Sequence, residues 1–186
     1  MPAKKIVTKE EILNTALQIV REGGIAALNM RSLAKRCNCS TQPIYLSFNG
    51  IDDLKKQVDK KVIEVFQKYM DDEVASGKYE KYKAVGMGYI RFAKQDKELF
   101  KYAMMHRDMI ADGTQQIFDN TVLMIMKNYG LYQDEANRLH MHMWIFVHGV
   151  ATIFATEYID IDWETVSQML TDAYFGAIKQ LKGENR

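Results

Sequence analysis

Cysteine and proline are almost missing from this chain of 186 residues, which has two of each. Two cysteines cannot supply the disulfide framework that staples small secreted domains. With so little proline, long stretches contain nothing to interrupt a helix. No basic-then-apolar leader precedes Thr8, so a cytoplasmic protein is expected. The longest apolar run, MWIFVHGVATIFA at 143–155, has 13 residues and carries His148 and Gly149, short of the roughly 20 that span a bilayer. It is expected to be a helix buried in protein, with no membrane partner. No nucleophile elbow, paired-carboxylate pattern or phosphate loop occurs, so no enzyme activity and no cofactor are expected. GMGYIR at 86–91 echoes a dinucleotide loop, but it follows no strand and lies within a helical pattern.

What the chain does have is a hydrophobic content of 47%, which excludes wholesale disorder. Its apolar residues recur at three- and four-residue steps, so the fold class is all-α, with about nine helices. Thr8 with Glu11 makes a capping-box pattern, and Ile12, Leu13, Ala16, Leu17 and Val20 form one stripe that Gly23-Gly24 stops. Asn29 can cap a short second helix, MRSLAKRC, with Met30, Leu33, Ala34 and Cys37 inward and Arg31, Lys35 and Arg36 outward. A third begins at Ser40 or Thr41, where Pro43 falls in the first turn and so costs no hydrogen bond. Ile44 and Phe48 turn inward, leaving Thr41, Gln42, Tyr45 and Leu46 to project outward.

Two short helices joined by a tight turn and braced by a longer one make a helix-turn-helix, whose second helix is shaped for the major groove of double-stranded DNA. Cys37 and Cys39 then serve that core and its turn, because no second Cys/His pair follows to complete a metal site. Charge is divided accordingly. Residues 1–61 hold eleven Lys/Arg against six Asp/Glu, a balance of +5, and the remaining 125 hold fourteen against eighteen, a balance of −4. A basic end on a mildly acidic body suits a reading head that meets a polyanion.

The run from Thr8 to Leu54 resembles the DNA-binding domain of TetR-family transcriptional regulators. TKEEILNTALQIVREGG matches its first helix, NMRSLAKRCNCS its second helix and turn, and TQPIYLSF its reading helix. The family's tyrosine, its phenylalanine three residues later and its leucine after the loop fall at Tyr45, Phe48 and Leu54. One position departs: Ile51 stands where the family usually carries a phosphate-contacting lysine, and Lys55 and Lys56 follow one turn on. The resemblance implies DNA contacts from Arg31, Ser32, Thr41, Gln42, Tyr45, Leu46, Ser47 and Lys55, with Lys4 and Lys5 as an arm. It divides the chain into a DNA-binding domain at 1–50 and a ligand-binding, dimerising bundle at 51–186. The function it implies is a homodimeric repressor, released from an inverted-repeat operator by a small apolar or aromatic effector. A helical small-molecule carrier whose head has lost DNA affinity is the alternative that Ile51 keeps open.

In the body, helices are expected at 51–75, 79–95, 97–105, 112–129, 133–157 and 163–182. Ten of the twelve methionines follow residue 69, among many aromatics, as an adaptable apolar wall would require. WIFVHG at 144–149 resembles the tryptophan–histidine–glycine pattern of one TetR subgroup, as does GYIRFAKQDKELFKY at 88–102. Trp144 and His148 share a helix face, and Gly149 is expected to admit a neighbouring helix. Phe66, Tyr89, Phe92, Met104, Phe118, Trp144 and His148 are the expected effector residues, and Ile153, Phe154, Met169, Leu170, Tyr174, Phe175 and Ile178 the expected dimer seam. His140 and His142 are two apart and face differently, a poor metal clamp. His106, Arg107 and Asp108 read as a surface cluster.

Overall fold

The computed structural model describes residues 7–105 and 111–181, the side chains of 111–113 excepted. Lys4, Lys5 and the His106–Asp108 cluster therefore lie outside the described residues. The described chain contains nine α-helices, one 3-10 turn and no strand. It is all-α. The helices are α1 (Lys9–Gly23), α2 (Met30–Arg36), α3 (Gln42–Ser47), α4 (Ile51–Ala75), α5 (Lys81–Gln95), α6 (Lys97–Met104), α7 (Ala111–Tyr129), α8 (Gln133–Thr156) and α9 (Trp163–Leu181). They pack into two compact units: Met1–Glu64 with Glu98–Ile110, and Val65–Lys97 with Ala111–Arg186.

In the first unit, Thr8 accepts a hydrogen bond from the Glu11 amide at 3.2 Å while the Glu11 carboxylate accepts from the Thr8 amide at 2.9 Å. Two first-turn donors are thereby satisfied, and α1 starts where the sequence indicates. It buries Ile12, Ala16, Leu17 and Val20 and stops at Gly24, whose φ of +70° is a conformation that glycine adopts without cost. Asn29 Oδ1 caps α2, accepting from the Arg31 and Ser32 amides at 3.1 and 2.9 Å. The turn after α2 passes through Asn38 at φ +52°, a left-handed position that asparagine tolerates better than most residues. Ile44 and Phe48 are buried, which fixes the orientation of α3. Tyr102 of α6 donates to the Asp59 carboxylate within the same unit.

The second unit is built on α8, which packs against α5, α7 and α9. By length and composition α8 could cross a membrane, but these contacts make it the core helix of a bundle. Gly88 lies where α5 meets the second half of α4: a Cβ there would stand 2.7 Å from both the Met70 Cα and the Tyr69 carbonyl oxygen. The glycines of GMGYIR are thus packing residues of a helix. One turn on, Arg91 pairs with the buried Glu73 at 2.9 Å, donates to the Tyr69 carbonyl at 3.2 Å and covers the Tyr69 ring. Tyr69 in turn donates to Asp96 at 3.0 Å.

Two parts of the expected dimer seam change. Phe154 and Leu170 are buried in this chain's own core, so their apolar surface is already covered. Met169 and Phe175 of the expected seam are exposed on α9, and Met141, Trp144 and Ile145 of α8 are exposed as well. Gly149 admits no neighbour from among the described residues, since a Cβ there would meet nothing within 4 Å.

Candidate functional site

The helix-turn-helix presents a small, well-defined face. Burial of Ile44 and Phe48 leaves Tyr45 59% and Leu46 81% exposed, with Gln42 exposed beside them and Thr41 half-buried. Arg31 is exposed at the start of α2. The two expected serines are engaged internally. Ser32 Oγ donates to the Ala27 carbonyl at 2.8 Å and accepts from the Asn29 amide at 3.1 Å, while Ser47 Oγ donates to the Pro43 carbonyl at 2.9 Å. These hydroxyls build the helix ends, so the outward chemistry falls to Arg31, Gln42, Tyr45 and Leu46. Arg36 also faces out but is clamped at 2.5 Å through both guanidinium nitrogens to Glu22, whose carboxyl it holds below the usual carboxylate range. Lys55 is half-buried on α4, and Lys9 lies over the Phe48 ring at 5.0 Å. Partial burial pushes the half-buried Cys37 thiol up, away from the reactive thiolate.

The second unit holds a partly open cavity of about 420 Å³ between α5, α8 and α9, within the range of small-molecule sites. Its walls are aromatic, with Tyr82, Tyr89, Tyr129, Trp144, Tyr174 and Phe175 among the lining residues, and Met143 the single methionine. Of the seven residues expected around an effector, Tyr89 and Trp144 line it. His148 stands behind them, its Nδ1 2.8 Å from the Tyr89 hydroxyl and its ring stacked 5.2 Å from the Trp144 indole. Phe66 meets Tyr89 edge-on at 5.3 Å and Phe92 packs on Phe66 at 5.4 Å, so both buttress the wall without forming it. Phe118 lies 4.3 Å from the His140 ring and is likewise not a lining residue. Met104 belongs to the other compact unit.

His140 and Tyr82 were missed. Both line the cavity, and they form a second tyrosine–histidine pair, with the Tyr82 hydroxyl 3.1 Å from His140 Nδ1. The sequence held a signal for this: Tyr82 and Tyr89 are about two turns apart on α5, and His140 and His148 about two turns apart on α8. Burial lowers His140 to about 4 and lowers His148, so both rings are neutral at physiological pH. It also raises the Tyr82 and Tyr89 phenols, which stay protonated. The wall's charged groups are already engaged, since Glu80 accepts from the Tyr82 amide at 3.0 Å and Lys83 donates to Thr171 at 2.7 Å. Among the described residues no three His, Cys, Asp or Glu side chains gather as a metal would need.

No protein-family model matches the sequence, and no curated protein matches it either. Solved structures do. A protein of unknown function from Rhodococcus sp. RHA1 superposes with a TM-score of 0.72 at 18% identity, covering 98% of each chain. A TetR-like transcriptional regulator from the same organism gives 0.66 at 14% identity, over 97% of this chain and 98% of its own. The chain has the TetR-regulator fold. A TetR-family transcriptional regulator from Haemophilus influenzae agrees, with a TM-score of 0.65 at 16% identity over 89% of this chain and 93% of that one. Within this fold α3 is the second helix of the helix-turn-helix, and the second compact unit contains the aromatic cavity.

Proposed function

We propose that the protein is a cytoplasmic, homodimeric transcriptional repressor that leaves an inverted-repeat DNA operator when a small apolar or aromatic effector fills the α5–α8–α9 cavity. Residues 1–50 serve as the DNA-binding domain and 51–186 as the effector-binding and dimerising domain. The observation that carries the reading is the pairing, in one chain of TetR-regulator fold, of an exposed polar-aromatic face on α3 with an aromatic cavity. Arg31, Gln42 and Tyr45 supply phosphate and base-edge contacts, and Leu46 an apolar contact for a thymine methyl. The exposed apolar surface at Met141, Trp144, Ile145, Met169 and Phe175 supports a partner helix pair. A two-fold dimer would set its reading helices one DNA turn, roughly 34–36 Å, or a multiple of it apart.

Helix α4 offers the route of coupling, because it is continuous from Ile51 beside the reading head to Ala75 in the effector-binding unit. Ile51, lacking the charge of a phosphate-binding lysine, favours a second reading, a small-molecule carrier with an inactive head. Titration with the DNA upstream of its own gene separates the two. A regulator binds one segment of that DNA specifically and loses orders of magnitude in affinity between about 50 and 200 mM salt. A carrier shows no specific segment at any salt concentration. Reciprocity adds a check: effector and operator must weaken each other by the same factor.

A further inference from the structure

We propose that the molecule this cavity takes is an uncharged, flat aromatic compound carrying a hydrogen-bond acceptor, and that the acceptor is received by the Nε2–H of His140. The inference rests on the reading of the cavity as an effector site and says which chemistry it selects. It starts from a count of protons. The buried Tyr82 phenol and the neutral His140 ring bring one donor each to a contact of 3.1 Å between the hydroxyl and Nδ1. Were Nδ1–H to donate to the phenol oxygen, two polar groups would be left over: the phenol O–H and the Nε2 lone pair. If the phenol donates to Nδ1 instead, the ring proton sits on Nε2, and that N–H is the single group without a partner. Buried polar groups are hydrogen-bonded, so the second arrangement holds.

Among the described residues nothing accepts from Nε2. His140 is only 8% exposed, and it lines the cavity. Phe118 covers its ring at 4.3 Å, which keeps the imidazole in place. An unpartnered donor on a buried histidine at the edge of an aromatic chamber is complementary to a carbonyl, ether or similar acceptor on a flat ring system. The walls explain why the molecule carries no net charge. They hold one carboxylate and one ammonium, Glu80 and Lys83, each already bonded within the protein, and a neutral imidazole. These two charges are opposite and cancel, so an ion entering the aromatic chamber would lose its water without meeting a net counter-charge.

A matched pair of probes tests this on the wild-type full chain: fluorenone, with a carbonyl, and fluorene, the same skeleton without it. Binding is read by calorimetry and by the fluorescence of Trp144, which lines the cavity. Fluorenone should bind about tenfold more tightly, a difference of about 1.4 kcal/mol, and in His140→Phe the two probes should bind equally. Tyr82→Phe, which releases the ring from its fixed tautomer, should narrow the gap part of the way. Equal binding of the two probes to wild type would refute the acceptor while leaving the effector cavity intact. Tighter binding of the protonated cation of 9-aminoacridine, or of fluorene-9-carboxylate, would refute the uncharged class. If none of the four binds up to its solubility, the effector reading of the cavity falls together with this one.

Discussion

Replacing Gly88 by alanine should destabilise the protein, although the same exchange in an open helix stabilises it. Alanine gains about 1 kcal/mol of helix propensity over glycine. Against this, the new Cβ would stand 2.7 Å from the Met70 Cα and the Tyr69 carbonyl oxygen, and 3.1 Å from the Met70 amide nitrogen. Comfortable contacts lie near 3.5–4.0 Å, and here backbone rather than a flexible side chain must give way. Helices α4 and α5 would have to separate by about 1 Å, an overpacking cost of about 1–3 kcal/mol. The same displacement stretches the Arg91–Glu73 pair, which spans the two helices one turn away. Subtracting the propensity gain leaves a net loss of up to about 2 kcal/mol, or roughly 2–4 °C of melting temperature per kcal/mol for a chain of this size. Gly149→Ala is the control: its Cβ meets nothing within 4 Å, so it should gain about 0.5–1 kcal/mol in dilute solution. Urea unfolding followed by helical circular dichroism reads both. If Gly88→Ala gains stability as Gly149→Ala does, the backbone-to-backbone contact between α4 and α5 is refuted. A loss in Gly149→Ala that grows with protein concentration would mark Gly149 as covered by a second copy.

Further expectations concern the reading head, pH and the α4–α5 ion pair. Tyr45→Ala and Arg31→Ala should each weaken operator binding by about 1–3 kcal/mol with unchanged melting, because both side chains are exposed; parallel titrations and melts decide, and full affinity in Tyr45→Ala sinks the assignment of α3. His140, held near 4 in the fold against an ordinary 6.5, resists protonation when folded. Its contribution is therefore fully present above about pH 6.5 and is lost as the pH falls toward 4, on the order of 3 kcal/mol in all. Urea midpoints of wild type and His140→Phe across pH 4–7 should show that part of the slope missing from the variant. Glu73→Ala strips the partly buried Arg91 of its carboxylate and should cost about 3 kcal/mol, whereas replacing both by methionine should recover most of it; equal losses in the two variants would show that the cost does not come from leaving Arg91 unpaired with a carboxylate.

Helix existence and bounds were legible because local chemistry decides them: the Thr8–Glu11 box, the Asn29 cap, Pro43 in a first turn and the three-and-four spacing of apolar residues all act within a few positions. Tyr45 and Leu46 were legible for the same reason, as the positions left over when Ile44 and Phe48 turn inward. The cavity was read less well. Periodicity says which face of a helix is apolar, but not which part of that face meets another helix and which part meets empty space. Phe66 and Phe92 therefore look identical to lining residues in sequence, although they stand one layer behind Tyr89. The methionine-rich composition pointed to a soft wall, yet Met87 and Met70 fill close-packed core and aromatics surround the cavity. His140 was discounted by a question about metals. Its partner is 58 residues away on another helix, and only the tertiary fold brings the two together.

The two tyrosine–histidine bonds also act as a vernier. Tyr82 and Tyr89 are seven residues apart, a rise of about 10.5 Å along α5, while His140 and His148 are eight apart, about 12 Å along α8. Two rulers graduated this differently coincide at both marks only for one sliding position and one mutual tilt of the helices. Either bond alone would allow α5 to pivot about it; together they remove that freedom. A guest that disturbs His140 therefore cannot be accommodated by a local shift at one end of the chamber, because His148 holds the other mark. The wall must respond as a single piece or not at all.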